Sequence, residues 1–411
     1  VLRGAPFVPF GAERFPDGRD RALANRLVTV ALRRHGHISA VLDAMLDKGL
    51  PGRSGVLEAA LRIGIAQLLF IEDVPAHSAV HLAVETVRAD RRAGRFDKLA
   101  NAVLRGADRR REEFTAQPEI ATLPPRRAER WADQYGADAP AAFARALLAG
   151  APLDLTFRAD DPELVARLGA TPLLGRSVRV PVRDAAVHDL AGFAEGQWWV
   201  QDVAATLPAL LLGAKPGMRV VDLCAAPGGK TAQLAALGGE VTAIDLDPAR
   251  LERLASNLDR LGLKARLETA DVLTYRPEAP FDAVLLDAPC SATGTFRRHP
   301  EVLLNRTDAG IADRVGLQRE MIGAAHGMLA PGGVLVYCVC SLEASEGEEQ
   351  MGWALETFPD LALSPVTADE LHGWAAPITR EGAVRTTPAL ALPGAVEGGM
   401  DGFFAARFIK R

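Results

Sequence analysis

From Gly217 onward the sequence alternates short apolar runs with amphipathic stretches, and few architectures accept that alternation. The apolar runs cover 219–224, 241–246, 265–269, 283–287 and 334–339, and a last one covers 402–408. Helical spacing of apolar residues fills the gaps at 230–237, 248–261, 308–330 and 345–357. Strands without polar alternation are buried on both faces, as in a parallel sheet covered by helices. The pattern predicts a doubly wound, Rossmann-like α/β domain whose ligands bind at the carboxyl ends of the strands.

The front of the chain reads differently. Helical patterns cover 21–35, 38–46, 55–70, 78–89 and 96–107, separated by Gly/Pro breaks such as Gly49-Leu50-Pro51-Gly52. This predicts an all-helical bundle. Pro124-Pro125 marks a linker, and 128–148 reads as one further helix. Runs at 153–158, 162–168 and 178–182 read strand, helix, strand, a small α+β module, and 198–200 leads into a helix over 202–212.

Composition narrows the class. With 411 residues, 48% hydrophobic and 24% charged, the chain has room for two or three globular domains. It has no uncharged apolar run long enough to span a bilayer, and no signal-peptide core at its start. Four cysteines are too few to staple a chain of this length, so reduced thiols and a cytoplasmic setting are expected. C-x-C alone is no zinc site, and no metal is expected. The net charge is −5, but residues 1–150 carry 23 Lys and Arg against 18 Asp and Glu, and the remainder 24 against 34. A basic run from Arg88 to Arg111 includes Arg91, Arg92 and Arg95. It fits either a grip on RNA phosphates or a solvated helix face.

The turn after the first strand of the α/β domain reads Cys224-Ala225-Ala226-Pro227-Gly228-Gly229-Lys230. Glycines there allow a ligand close to the backbone. The spacing is neither G-x-G-x-x-G nor a P-loop, so the dinucleotide and nucleotide-triphosphate readings both fail. Asp245 ends the second strand, where a carboxylate can accept from ribose hydroxyls. Asp271 follows the third, where it could accept from an adenine amino group. A nucleoside without a phosphate chain, held by carboxylates, fits S-adenosylmethionine.

Two cysteines complete the constellation. Cys290 closes Asp287-Ala288-Pro289-Cys290 and Cys340 closes Val336-Tyr337-Cys338-Val339-Cys340, each at a strand end on the ligand side. Cys224 and Cys338 read as ordinary buried thiols.

These motifs, with Arg297-Arg298-His299-Pro300 and Asp401-Gly402-Phe403-Phe404, resemble the RNA (cytosine-5) methyltransferases of the RsmB/Sun group. Asp20 to Ala24, Gln67 to Leu69 and Asn101 to Arg105 are similar to the NusB-like domain of the group's bacterial ribosomal member. The resemblance implies S-adenosylmethionine as methyl donor, S-adenosylhomocysteine as product and 16S ribosomal RNA as acceptor, with tRNA and a catalytically silent assembly factor as alternatives. It implies donor or base contacts at Cys224 to Lys230, Asp245, Asp271 and Asp287. It places the nucleophile at Cys340 and its helper at Cys290, with Asp287 on the cytosine N3/N4 edge and Lys230 beside it. The implied division is a NusB-like RNA-binding domain over 1–120, a linker helix and RNA-binding module over 121–200, and a methyltransferase domain over 201–411. A monomer is expected.

The chemistry needs these residue types. Cytosine C5 is too weak a nucleophile to accept a methyl group until a thiolate adds at C6. A free thiol has a pKa of about 8.5, so the site must favour the thiolate. One departure stands out. The group's usual Thr before the nucleophile is Val339, and its S-L-x-P-E-E-N stretch reads Ser341 to Gly347.

Overall fold

The computed structural model describes residues 1, 4–72, 74–181 and 186–411. They form two compact units, one of residues 1–149 with 299–305 and one of residues 150–298 with 306–411.

The first unit is all helical: α1 Gly18–Arg33, α2 His35–Met45, α3 Leu57–Phe70, α4 Ala76–Ala89, α5 Asp97–Arg109, α6 Arg111–Thr115, α7 Pro125–Tyr135 and α8 Ala139–Ala149. The side chain of Asp17 caps α1 by accepting from the Arg19 and Asp20 amides. Ile38, Val41, Leu57, Leu61, Ile65, Val87 and Leu104 are buried in its core. The single helix expected over 128–148 is two helices, broken at Gly136-Ala137-Asp138, with Pro125 in the first turn of α7, where its missing amide costs nothing.

The second unit opens with β1 Leu153–Phe157, α9 Pro162–Leu168, β2 Thr171–Pro172, β3 Ser177–Val180 and β4 Trp198–Val200. These strands form an antiparallel sheet in the order β2-β3-β1-β4. The expected strand over 178–182 is β3, and Val182 lies outside the described residues.

Then come α10 Val203–Leu212, β5 Arg219–Leu223, α11 Gly229–Ala236, β6 Glu240–Asp245, α12 Pro248–Leu261, β7 Arg266–Thr269 and β8 Phe281–Asp287. After the short helix α13 Val302–Asn305, which belongs to the first unit, the chain continues through α14 Asp308–Met328, β9 Leu329–Val339, α15 Glu348–Thr357, β10 Leu361–Leu363, β11 Val384–Arg385 and β12 Phe404–Lys410.

The large sheet has the order β10-β12-β9-β8-β5-β6-β7, with β11 beside β12. Strands β5 to β9 are parallel, and β12 is antiparallel to β9. Both faces are covered. Val220, Leu285 and Val336 face one apolar cluster; Val221, Leu286 and Leu335 face the other. Each such side chain contributes about 1.5–3 kcal/mol by leaving water. Strand β9 starts at Leu329, not at 334, because Leu329 pairs with Phe281 before residues 330–333 bulge out and Val334 pairs with Ala283.

From β5 the chain moves one way through β6 and β7, then returns to place β8 and β9 on the other side. The crevice between the carboxyl ends of β5 and β8 is thus the topological switch point. Among the described residues no helix is long and apolar enough to cross a membrane.

Candidate active site

At the end of β5 the backbone turns sharply. Cys224 adopts φ +62°, unusual for a side chain with a Cβ and a mark of a strained functional turn. The Ala225 amide reaches back to the Ile244 carbonyl at 2.9 Å, and the Ala226 amide donates to the Asp245 carboxylate at 3.1 Å. Gly228 has φ +103°, and a Cβ there would meet Leu254 at 2.6 Å, so the loop reaches α11 only with glycine at this position. Asp245 is buried and also accepts from the Asp247 amide at 3.1 Å. Asp271 is exposed, and its carboxylate accepts from the Leu273 amide at 2.9 Å, the role of a turn residue.

Asp287 ends β8 with its side chain 30% exposed, so it can meet both protein and ligand. Lys230, at the start of α11, donates to Asp287 at 2.7 Å and lies over the Phe403 ring, 5.1 Å from its centroid. Burial works against the Lys230 charge, but the Asp287 carboxylate outweighs it and holds the ammonium above its ordinary range. Cys338 donates to the other Asp287 oxygen at 3.5 Å.

The sulfurs of Cys290 and Cys340 lie 3.5 Å apart. The hydrogen bond to Cys340 and burial push the Cys290 thiol well up, so Cys290 keeps its proton. Burial first, then nearby carboxylates, also push Cys224 and Cys338 up, as expected of ordinary buried thiols. Val339 is fully buried in the apolar cluster with Tyr337 and Phe404, on the face opposite Cys338 and Cys340.

Four features carry no periodic sequence signal for their roles. Arg297 is fully buried and donates to Asp202 at 2.8 Å and Asp401 at 3.0 Å, which joins two of the motifs noted above. Arg298 pairs with Asp401 and, at 3.5 Å, with Asp202, and its charge lies within electrostatic reach of Cys340. A Cβ on Gly294 would overlap the Gly402 carbonyl, and the Gly294 amide donates to the Cys340 carbonyl at 3.0 Å. Glu346 bonds to the residues that follow both cysteines. Cys338 alone had a legible signal, since a residue two before Cys340 on a strand shares its face.

Asp222, inside β5, takes the Thr231 hydroxyl on one oxygen at 2.6 Å, while its other oxygen has no hydrogen-bond partner among the described residues. Burial pushes its carboxyl up to about 7, opposed by the Thr231 hydrogen bond and aided by the Asp287 charge. The folded value lies above the unfolded one, so the folded chain binds more protons from about pH 4 up to 7. Its contribution therefore favours the fold at acid pH and is lost as pH rises through 7. We expect Asp222→Asn, a mimic of the protonated form, to match wild type near pH 3.5, below the unfolded value, and to exceed it by a few kcal/mol near pH 8, at roughly 1.4 kcal/mol for every tenfold difference in proton affinity between the folded and unfolded chain. Denaturant unfolding at the two pH values checks this; an equal offset at both would refute it.

In the first unit, Arg53, Arg91, Arg92 and Arg95 line a cavity of about 970 Å³. By contrast Arg88, Arg110 and Arg111 pair with Glu85 and Asp97, Glu113, and Asp108 respectively. Among the described residues no group of three or more His, Cys, Asp or Glu is placed to hold a metal ion.

A Rossmann-like sheet with a non-phosphate glycine loop, paired with a separate helical unit, defines a two-part methyltransferase architecture. The profile described as 16S rRNA methyltransferase RsmB/F matches residues 209–409, and that of the NusB family matches residues 11–109. Ribosomal RNA small subunit methyltransferase B of Xanthomonas campestris pv. campestris is 37% identical over 96% of this chain and 90% of its own length. The Klebsiella pneumoniae protein of the same name is 34% identical over 96% and 91%. A methyltransferase homolog protein from Pyrococcus horikoshii superposes with a TM-score of 0.60 at 29% identity, covering 70% of this chain and 95% of its own. The chain belongs to the 16S rRNA methyltransferase RsmB/F family.

Proposed function

We propose that this protein methylates C5 of a cytosine in 16S ribosomal RNA, with S-adenosylmethionine as donor and a transient bond between Cys340 and C6. The single observation that carries the reading is the 3.5 Å approach of two cysteine sulfurs beside a lysine-backed aspartate at the switch point of the sheet. This arrangement supports covalent activation of a pyrimidine followed by proton removal.

The donor fits the residues present. Asp245 and Asp287 place carboxylates at the ends of β6 and β8, suited to ribose hydroxyls and to a cationic sulfonium. Cys224 to Lys230, Asp245, Asp271 and Asp287 would hold it. When bound, it supplies an electrophilic methyl carbon on a sulfonium.

The protein's part proceeds in three stages. The Cys340 thiolate forms a bond to C6 while electron density moves to C5 and toward N3, where the Asp287–Lys230 pair offsets the developing charge. C5, made nucleophilic in this way, would bond to the donor's methyl carbon as the methyl–sulfur bond breaks and its electron pair stays on the sulfur of the leaving S-adenosylhomocysteine. A base then takes the C5 proton, the C5–C6 double bond re-forms and the C6–S bond breaks, returning the electron pair to Cys340. Cys290, a thiol at rest, serves this last stage through a water that it orders, or directly once its own proton has passed to solvent. The bond geometry demands a cytosine outside a helical stack. The Arg53, Arg91, Arg92 and Arg95 cavity offers a cationic surface for flanking phosphates. The protein acts in the cytoplasm as a monomer.

The test is transfer of labelled methyl groups to 16S RNA from a strain lacking the gene, followed by nucleoside analysis. Label in 5-methylcytidine of 16S RNA, absent from tRNA, is expected. Label in tRNA alone would move the substrate assignment, and none in any RNA would favour a silent assembly factor.

A further inference from the structure

A carboxylate outside the reaction scheme holds the two cysteine loops together. Glu346 is fully buried, in the turn just before α15. One of its oxygens accepts from the Ser291 amide at 2.8 Å and from Gln318 at 3.1 Å. The other accepts from the Ser291 hydroxyl at 2.5 Å and the Ser341 hydroxyl at 2.6 Å. Ser291 directly follows Cys290, and Ser341 directly follows Cys340. The loops also meet through Thr293, whose hydroxyl lies 3.3 Å from both seryl hydroxyls and accepts from the Leu342 amide at 3.0 Å.

We propose that Glu346 is a positioning residue that sets the separation and aim of the Cys290 and Cys340 sulfurs. This rests on the covalent reading given above. The argument is one of reach and satisfaction. Loop backbones can be joined in many ways, but a single carboxylate that accepts three donors from the residues directly after both thiols, and a fourth from Gln318, fixes the two sulfurs relative to each other. A buried carboxylate with four donors is also stiff, because each lost donor leaves charge uncompensated. Gln318 anchors the clamp from α14, where it also donates to the Pro289 carbonyl at 3.0 Å, so the Cys290 loop is held on both sides of Cys290. The Glu346 main chain is fixed in turn, its carbonyl taking the Tyr337 hydroxyl at 2.6 Å. The negative charge of Glu346 also contributes to keeping the Cys290 proton in place, after the hydrogen bond to Cys340 and burial.

The experiment compares Glu346→Ala and Glu346→Gln with wild type and Cys340→Ala in methyl transfer to unmodified 16S RNA, together with thermal melting of each. Glutamine can still accept from the Ser291 amide and donate to a seryl oxygen, so it preserves the span; alanine does not. Expected are a fall in kcat of ~10–100-fold for Glu346→Ala with KM for the methyl donor unchanged, since a misplacement of about 1 Å costs on the order of 100-fold. Glu346→Gln is expected to recover kcat to within about fivefold of wild type. The Ser291→Ala/Ser341→Ala double variant, which keeps Glu346 but removes both hydroxyl ends of the clamp, is expected to follow Glu346→Ala; it also serves if Glu346→Ala fails to fold. Wild-type kcat in the alanine or serine variants, or a Glu346→Gln variant that melts like wild type yet is as slow as Glu346→Ala, would overturn the proposal. Failure of the underlying reading shows itself separately: wild type would then transfer no methyl group, or Cys340→Ala would stay active.

Discussion

Replacing Cys340 with alanine is expected to reduce methyl transfer to cytosine by at least ~10⁴-fold, the scale on which loss of a covalent nucleophile acts. Nothing nearby can substitute. Cys290 is 3.5 Å from the Cys340 sulfur in the wild type; the variant loses that contact, but burial and the Glu346 charge still hold Cys290 as a thiol. Cys338 is fully buried and also held as a thiol, by burial and by the Asp287 carboxylate to which it donates. Affinity for S-adenosylmethionine is expected to stay within about twofold of wild type, because the proposed donor contacts gather on the β5 and β6 loops and at Asp271 and Asp287, not on the Cys340 loop. Labelled-methyl incorporation and calorimetric titration of the donor read the two quantities separately. Residual turnover within 100-fold of wild type would remove Cys340 from the nucleophile's role.

The second large effect has the opposite appearance. Cys290→Ala is expected to bind RNA, methylate one cytosine and stall with the RNA still attached. In the proposed scheme, bond formation at C6 and methyl transfer do not use Cys290, but removal of the C5 proton does. Without that step the C6–S bond cannot break, and a general base of this kind contributes ~10²–10⁴-fold. The complex should survive denaturing electrophoresis and carry one methyl group per protein. Normal turnover without an adduct would show that proton removal belongs to another group.

Much of this site was visible in the linear sequence because its parts follow strand ends. Alternating apolar runs predicted β5, β6, β8 and β9, and a parallel sheet puts the residues after those strands on one edge. That logic placed the glycine turn, Asp245, Asp287, Cys290 and Cys340 together. It said little about contacts made by side chains distant in sequence. Glu346 meets Ser291 across 55 positions, and Arg297 meets Asp401 across 104. Neither pairing leaves a local period to detect. The short strands β2, β10 and β11 were likewise unread, since two or three residues cannot show a period-2 pattern. The bulge at 330–333 was invisible for a related reason: only the pairing of Leu329 with Phe281 reveals that β9 has already begun.

Val339, which stands where the group usually has Thr, fits the packing of its strand. Its side chain belongs to the buried cluster with Tyr337 and Phe404, where an unpartnered hydroxyl would cost stability. The Cys340 loop is instead gripped by Glu346 through Ser341, by the Gly294 amide, and by Arg385, which donates to the Ser341 carbonyl at 2.5 Å.

The most direct test of the account is tandem mass spectrometry of the complex trapped by Cys290→Ala. A methylated cytidine remnant on the peptide bearing Cys340, lost when Cys340→Ala is added to the variant, is the expected result. A remnant on Cys224 or Cys338, or an adduct that persists in the double variant, would contradict it.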